Sequence, residues 1–397
     1  MFSDAEKKEA LRQSFDSYNV AGYSASPCGA NHLLGEGYYH ASDVLRGIEG
    51  KSSERGLFKE NEDLYFWWFD NNGQKIHENI CHLNNIGLVS KYDNTLKRKT
   101  TNEYRIAVLG CEMTGATTSN NVWPDTLNDF LNSHPLLDGQ CQVLNFGHLD
   151  TGIHEWKTIW EERASHFDID LLILNIPVHT FYRKGNVFAD VSHWDGLPGF
   201  RYVNYQAENG VSATSWIVAP NKKATLSHPD SYTEKLITFW MPREIADNPD
   251  YIRQLRKRVI NEYVEGANFN KAASSLDPRV GNYPTIPSYS EAERVQWVRD
   301  HVTWFAQNVK NVMVTLNPWK PHFIDYGNYL SPDALNNLDP RLEIIDMRKS
   351  WKLWGIHDDI SALYSDFAAE KWSDEGHRLY GEAVGLEVLY RLGFHDV

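Results

Sequence analysis

Short apolar runs recur along the chain, separated by amphipathic stretches. Arg105-Ile106-Ala107-Val108-Leu109-Gly110 is an unbroken apolar run closed by glycine, the pattern of a strand buried on both faces. Cys141-Gln142-Val143-Leu144-Asn145-Phe146 and Ile169-Asp170-Leu171-Leu172-Ile173-Leu174-Asn175 repeat it. Between them, Trp123-Pro124-Asp125 opens a segment with Leu127, Phe130 and Leu131 at helical spacing, and proline is tolerated in a first turn. The stretch from Glu155 to Ala164 also reads as a helix. Farther on, Asn311–Leu316 predicts another strand, Ile344-Ile345-Asp346 a short one, and Gly376–Leu392 a closing helix.

Alternation of strand and helix predicts right-handed crossovers and a parallel sheet with helices on both faces. Any ligand site then falls at the carboxyl ends of the strands, just after Leu109, Phe146 and Asn175. Upstream, Leu64-Tyr65-Phe66-Trp67-Trp68-Phe69 ended by Asp70-Asn71-Asn72-Gly73 predicts a strand entering a turn. The polar connector Lys97-Arg98-Lys99-Thr100-Thr101-Asn102 sets a boundary. The expected organisation is an N-terminal α+β extension over residues 1–103 and an α/β domain over 104–397. Residues 185–300, less regular and rich in Trp, Tyr, Pro and Asn, read as an insertion in that domain.

Charge narrows the partners. A formal net charge of -14 argues against nucleic acid and anionic membranes, which need a basic face, and favours a small-molecule substrate. Cys28, Cys81, Cys111 and Cys141 have neither CxxC spacing nor the density of a disulfide scaffold, so reduced thiols are expected. The charged start, Met1-Phe2-Ser3-Asp4-Ala5-Glu6-Lys7-Lys8, is unlike a signal peptide, and no run is long enough to span a bilayer; a cytoplasmic location is the simplest expectation. The chain's 14 Trp suit aromatic core packing or a flat-walled pocket.

Four blocks, in order, resemble the SGNH (GDSL-type) hydrolases. Arg105–Gly110 followed by Cys111-Glu112-Met113-Thr114-Gly115 and then Trp123-Pro124 is similar to the family's first block, a strand running into Gly-Asp-Ser-x-Thr and a Trp-Pro helix start. Asn85-Ile86-Gly87-Leu88 resembles the lead-in seen in some members. Asn145-Phe146-Gly147-His148-Leu149-Asp150 resembles the second block, with Asp150 where an oxyanion-hole glycine belongs. Asp170–Asn175 and Ile176-Pro177-Val178-His179-Thr180 resemble the third, and Trp372-Ser373-Asp374-Glu375-Gly376-His377 the region after the family's catalytic histidine. The resemblance implies a three-layer α/β/α, flavodoxin-like fold. It also implies that the usual catalytic positions are rewritten: Glu112 replaces the nucleophilic serine, Lys371 stands where the histidine would be, and Asp366 is the nearest relic of its aspartate.

These replacements change the chemistry. Serine hydrolysis needs a hydroxyl nucleophile and donors for a developing oxyanion. Asp150 would put negative charge there instead. Glu112, Asp150, His179 and Lys371 can all transfer protons. Neighbouring carboxylates split into an acid and a base, and imidazole shuttles protons near neutrality. The expectation is non-serine acid–base chemistry on a small molecule, such as condensation, dehydration or cyclisation, with no cofactor.

Other readings stay open: a decayed site, a binding protein for a carbohydrate or acyl ligand, an esterase with an atypical nucleophile, or a metal held by Glu112, Asp150 and His179 with His148 or His154 nearby. Cys111 reads as a small core hydrophobe, Thr114 and Ser119 as caps of the next helix, and His377 as part of a helix start. Arg253, Arg256, Lys257 and Arg258 read as a solvated helix face.

Overall fold

A computed structural model describes residues 61–115, 119–147, 152–177, 243–265, 291–317, 332–349 and 360–394 apart from a few positions within them, a few residues near the N-terminus, and the strands 19–24, 201–206, 212–217 and 236–241. The described strands are, in chain order, β1 (Asn19–Ser24), β2 (Glu62–Phe69), β3 (Lys75–Leu83), β4 (Tyr104–Gly110) and β5 (Cys141–Asn145). They continue with β6 (Leu171–Pro177), β7 (Arg201–Gln206), β8 (Ser212–Ile217), β9 (Leu236–Met241) and β10 (Val312–Asn317). The last are β11 (Glu343–Asp346), β12 (Tyr364–Ser365) and β13 (Ala368–Trp372).

The chain divides into two compact units. The first comprises Met1–Leu33, Leu64–Asn79 and Phe188–Tyr289; the second comprises Leu34–Asp63, Ile80–Val187 and Ser290–Val397. A six-stranded sheet runs in the order β3-β2-β1-β9-β8-β7. The region from 185 to 300 is thus more regular than its composition suggests: it supplies three of these strands and the helix Pro249–Glu265. The tight turn after β2 is closed by Asp70, whose carboxylate accepts from the Asn72 and Gln74 amides at 2.8 Å each. Gly73, at φ 80°, takes a backbone conformation that side chains disfavour.

The second unit holds a five-stranded parallel sheet ordered β5-β4-β6-β10-β11. Counted along the chain this is a 2-1-3-4-5 order, and the direction of progression reverses between β4 and β6. Every described residue of β6 and β10 is buried, which explains their near-continuous apolar sequence. Because β5 lies on one side of β4 and β6 on the other, right-handed crossovers put Trp123–Ser133 and Ile153–Glu162 on opposite faces. The C-terminal helix, Asp374–Arg391, packs on Trp123–Ser133. A Cβ on Gly381 would stand 2.6 Å from the Trp123 carbonyl oxygen, so the two backbones approach closely. On the other face Glu291–Asn308 joins Ile153–Glu162, with the Lys157 ammonium 4.5 Å from the Trp304 ring centre. The fold is three-layer α/β/α.

Arg105, fully buried in β4, ties the amino-terminal end of the sheet together. Its guanidinium donates to Glu103 at 2.9 Å, to the Leu96 and Phe167 carbonyls at 3.0 and 2.6 Å, and to Gln142 at 2.5 Å. No described helix is long and apolar enough to cross a membrane.

Candidate active site

Register fixes which strand ends meet. Val108 pairs with Asn145, Gly110 with Asn175, and Asn317 with Pro177, so the carboxyl ends of β5, β4, β6 and β10 form one edge at the point where the strand order reverses. Immediately beyond β4, Cys111 is buried and Glu112–Gly115 makes a single helical turn. Glu112 therefore heads a turn at the topological switch point.

A buried polar network clamps that turn. Asn175 Nδ2 donates to Thr114 Oγ1 at 2.7 Å, while its Oδ1 accepts from the Tyr380 hydroxyl at 2.7 Å and the Thr315 hydroxyl at 3.2 Å. Asn145 Nδ2 donates to the Thr114 carbonyl at 3.1 Å and to the Val89 carbonyl at 2.9 Å. Its Oδ1 accepts from the Gly147 amide at 2.9 Å. All the side chains that carry these bonds are buried, so each polar atom would be costly without its partner. Burial pushes the Tyr380 phenol far above its ordinary range, keeping it a donor. Thr114 is thus no cap of the next helix. It is enclosed between Gly110 and Gly147, where added Cβ atoms would stand 2.0 Å from its Oγ1 and 2.5 Å from its Cγ2.

The following helix begins without a side-chain cap at Val122. Ser119, the other expected cap, instead has its hydroxyl within hydrogen-bond reach of the Asn121 carbonyl and the Asp374 carboxylate. The Trp123 amide donates to Nδ1 of His377 at 3.3 Å. His377 is fully enclosed against Trp372, and burial pushes its imidazole down to about 3, so it stays neutral at physiological pH. It joins two helix starts, in line with the reading from sequence. Asp125 holds the lead-in segment: its carboxylate accepts from Ser90 Oγ at 2.5 Å and the Lys91 amide at 2.8 Å. Burial raises its carboxyl to about 6.

Of the residues singled out from sequence, Glu112 and Lys371 have described backbones, the first heading the clamped turn and the second within β13. β13 leads through Ser373, which caps the C-terminal helix by accepting from the Gly376 amide at 3.1 Å. The side chains of Glu112, Lys371 and His154 lie outside the described set, as do Asp150, His179, Asp366 and His148. Among the described residues no three His, Cys, Asp or Glu side chains are grouped to hold a metal. Cys81, Cys111 and Cys141 are buried thiols that form no disulfide.

Two readings change. Thr114 and Ser119 are network members, because tertiary donors and acceptors reach them first. Arg256 is not solvated: it is 7% exposed and shares a helix face with buried Ile252 and Leu255, while Arg253, Lys257 and Arg258 are exposed. Sequence reasoning did not single out Asn145, Asn175, Thr315 and Tyr380 as a group. The signal available was an asparagine ending or nearly ending each of three apolar strands, including Asn317.

No family model and no curated protein sequence matches the chain. Among solved structures it is similar to an acetylxylan esterase from Geobacillus stearothermophilus, with 11% identity, 74% of this chain and 95% of that one covered, and a TM-score of 0.37. It is also similar to an α/β hydrolase from the metagenome of Lake Arreo, Spain, with 10% identity, 74% and 97% covered, and a TM-score of 0.37.

Proposed function

We propose that this chain is an SGNH-hydrolase-like enzyme that works on a small molecule by acid–base chemistry without a serine nucleophile. The observation that carries the reading is the placement of Glu112: it heads a turn clamped through Thr114 at the switch point of the parallel sheet. Open α/β sheets bind ligands at such a point. The resemblance puts the nucleophilic serine there, and this chain has a carboxylate.

In this reading Glu112 and Asp150 share the work of acid and base, since two nearby carboxylates separate in proton affinity. His179 carries protons between substrate and solvent. Lys371 holds an anionic group or polarises a carbonyl. Condensation, dehydration and cyclisation all need this pairing of proton removal with proton delivery.

The test is consumption of metabolites from a cell extract, followed by mass spectrometry, for the wild-type protein, Glu112→Gln and Asp150→Asn. A compound consumed by the wild type and left intact by both variants is the expected result. Undiminished consumption by both variants, or labelling of a serine by a fluorophosphonate probe, would overturn the proposal.

A further inference from the structure

Asn317 ends β10 on the same edge, in register with Pro177 of β6, the strand that leads to His179. Its side chain is fully buried, and Nδ2 lies 3.7 Å from Sδ of Met113, in the turn headed by Glu112. The thioether sulfur is a weak acceptor, and the amide turns its nitrogen toward it. The opposite atom, Oδ1, is buried with no hydrogen-bond partner among the described residues.

This contrasts with the neighbouring asparagines. Asn145 and Asn175 use both ends of their amides within the fold. Leaving a carbonyl acceptor buried and unpaired costs about 1–3 kcal/mol, and this one lies at the carboxyl end of β10 beside the Glu112 turn. A leucine would fill a similar volume without that cost. A retained acceptor at the ligand-binding edge, beside the Glu112 turn, is suited to recognising something that arrives with a donor.

We propose that Asn317 Oδ1 is a specificity-determining acceptor for a hydroxyl group on the substrate. The inference rests on reading this edge as the active site. A hydroxyl reaching Oδ1 is enclosed away from water, where its hydrogen bond is stronger than in solvent. An analogue with a methyl group in its place leaves the acceptor unpaired and binds more weakly.

Ligand-observed NMR with matched fragment pairs tests this without turnover, so its outcome is separate from the fate of the Glu112 variants. The probes are benzyl alcohol against ethylbenzene and cyclohexanol against methylcyclohexane. The full-length wild type should bind the hydroxyl member of at least one pair about tenfold more tightly, with a shift of the Asn317 side-chain amide signals. Asn317→Leu should erase that preference while keeping its melting temperature at or above that of the wild type. Absence of any hydroxyl preference, its survival in Asn317→Leu, or a lowered melting temperature for that variant would overturn the inference.

Discussion

Gly110 and Thr114 are packed so tightly that a Cβ on the glycine would lie 2.0 Å from the threonine Oγ1 and 2.7 Å from its Cβ. The threonine cannot yield, because its hydroxyl is held by Asn175 and its carbonyl by Asn145. Gly110→Ala should therefore lower unfolding free energy by about 1–3 kcal/mol, the usual cost of overpacking. Urea denaturation would show it. An unchanged midpoint would mean that the turn is not clamped as described.

Asn175 gathers three side-chain partners, whereas Tyr380 gives this network one hydroxyl. Tyr380→Phe should cost about 1 kcal/mol, because Thr315 still donates to Asn175 Oδ1. Asn175→Leu leaves the Thr114, Thr315 and Tyr380 hydroxyls without their amide and should cost more than Tyr380→Phe. Equal losses in denaturation would count against a shared hub.

His377 gives a pH dependence with a definite sign. Its folded pKa, about 3, lies below the ordinary value of 6.5, so the unfolded chain takes up a proton that the folded chain refuses. Its contribution to stability is fully present above 6.5 and is lost as pH falls toward 3. His377→Gln should be less stable than the wild type at pH 7, since it disturbs the Trp123 amide contact. Its stability should then fall less steeply between pH 6.5 and 4.5. Parallel curves for the two proteins over that window would refute the assignment.

Removing Arg105 would strand Glu103 and several carbonyls at the amino-terminal end of the sheet. Arg105→Met should cost about 3–5 kcal/mol, the scale for breaking a buried pair from one side. Arg105→Lys should also be costly, because a single ammonium cannot reproduce the guanidinium fork. Thermal melting of both variants checks this.

The strands of the α/β unit were legible because a strand buried on both faces has few places for polar residues. The predicted run at Arg105–Gly110 became β4 at Tyr104–Gly110, and Asn311–Leu316 became β10 at Val312–Asn317. The predicted helix at Gly376–Leu392 became Asp374–Arg391. The strands at Arg201–Gln206, Ser212–Ile217 and Leu236–Met241 were not legible. β9 pairs in parallel with the distant β1, a pairing that no local pattern records, while β7 and β8 pair locally as an antiparallel hairpin whose Tyr, Asn, Ser and Thr content lacks the continuous apolar run that marked the buried strands.

Sequence alone determined the alternation of strand and helix, hence a parallel sheet. Block order pointed to Glu112 as the rewritten position. Only the tertiary structure decided that asparagines at the strand ends hold its turn, that Thr114 and His377 serve as struts, and that Asn317 Oδ1 is buried without a partner among the described residues. The physical reason is that periodicity records whether a residue is buried, while the identity of its hydrogen-bond partner depends on chain segments brought together only by folding.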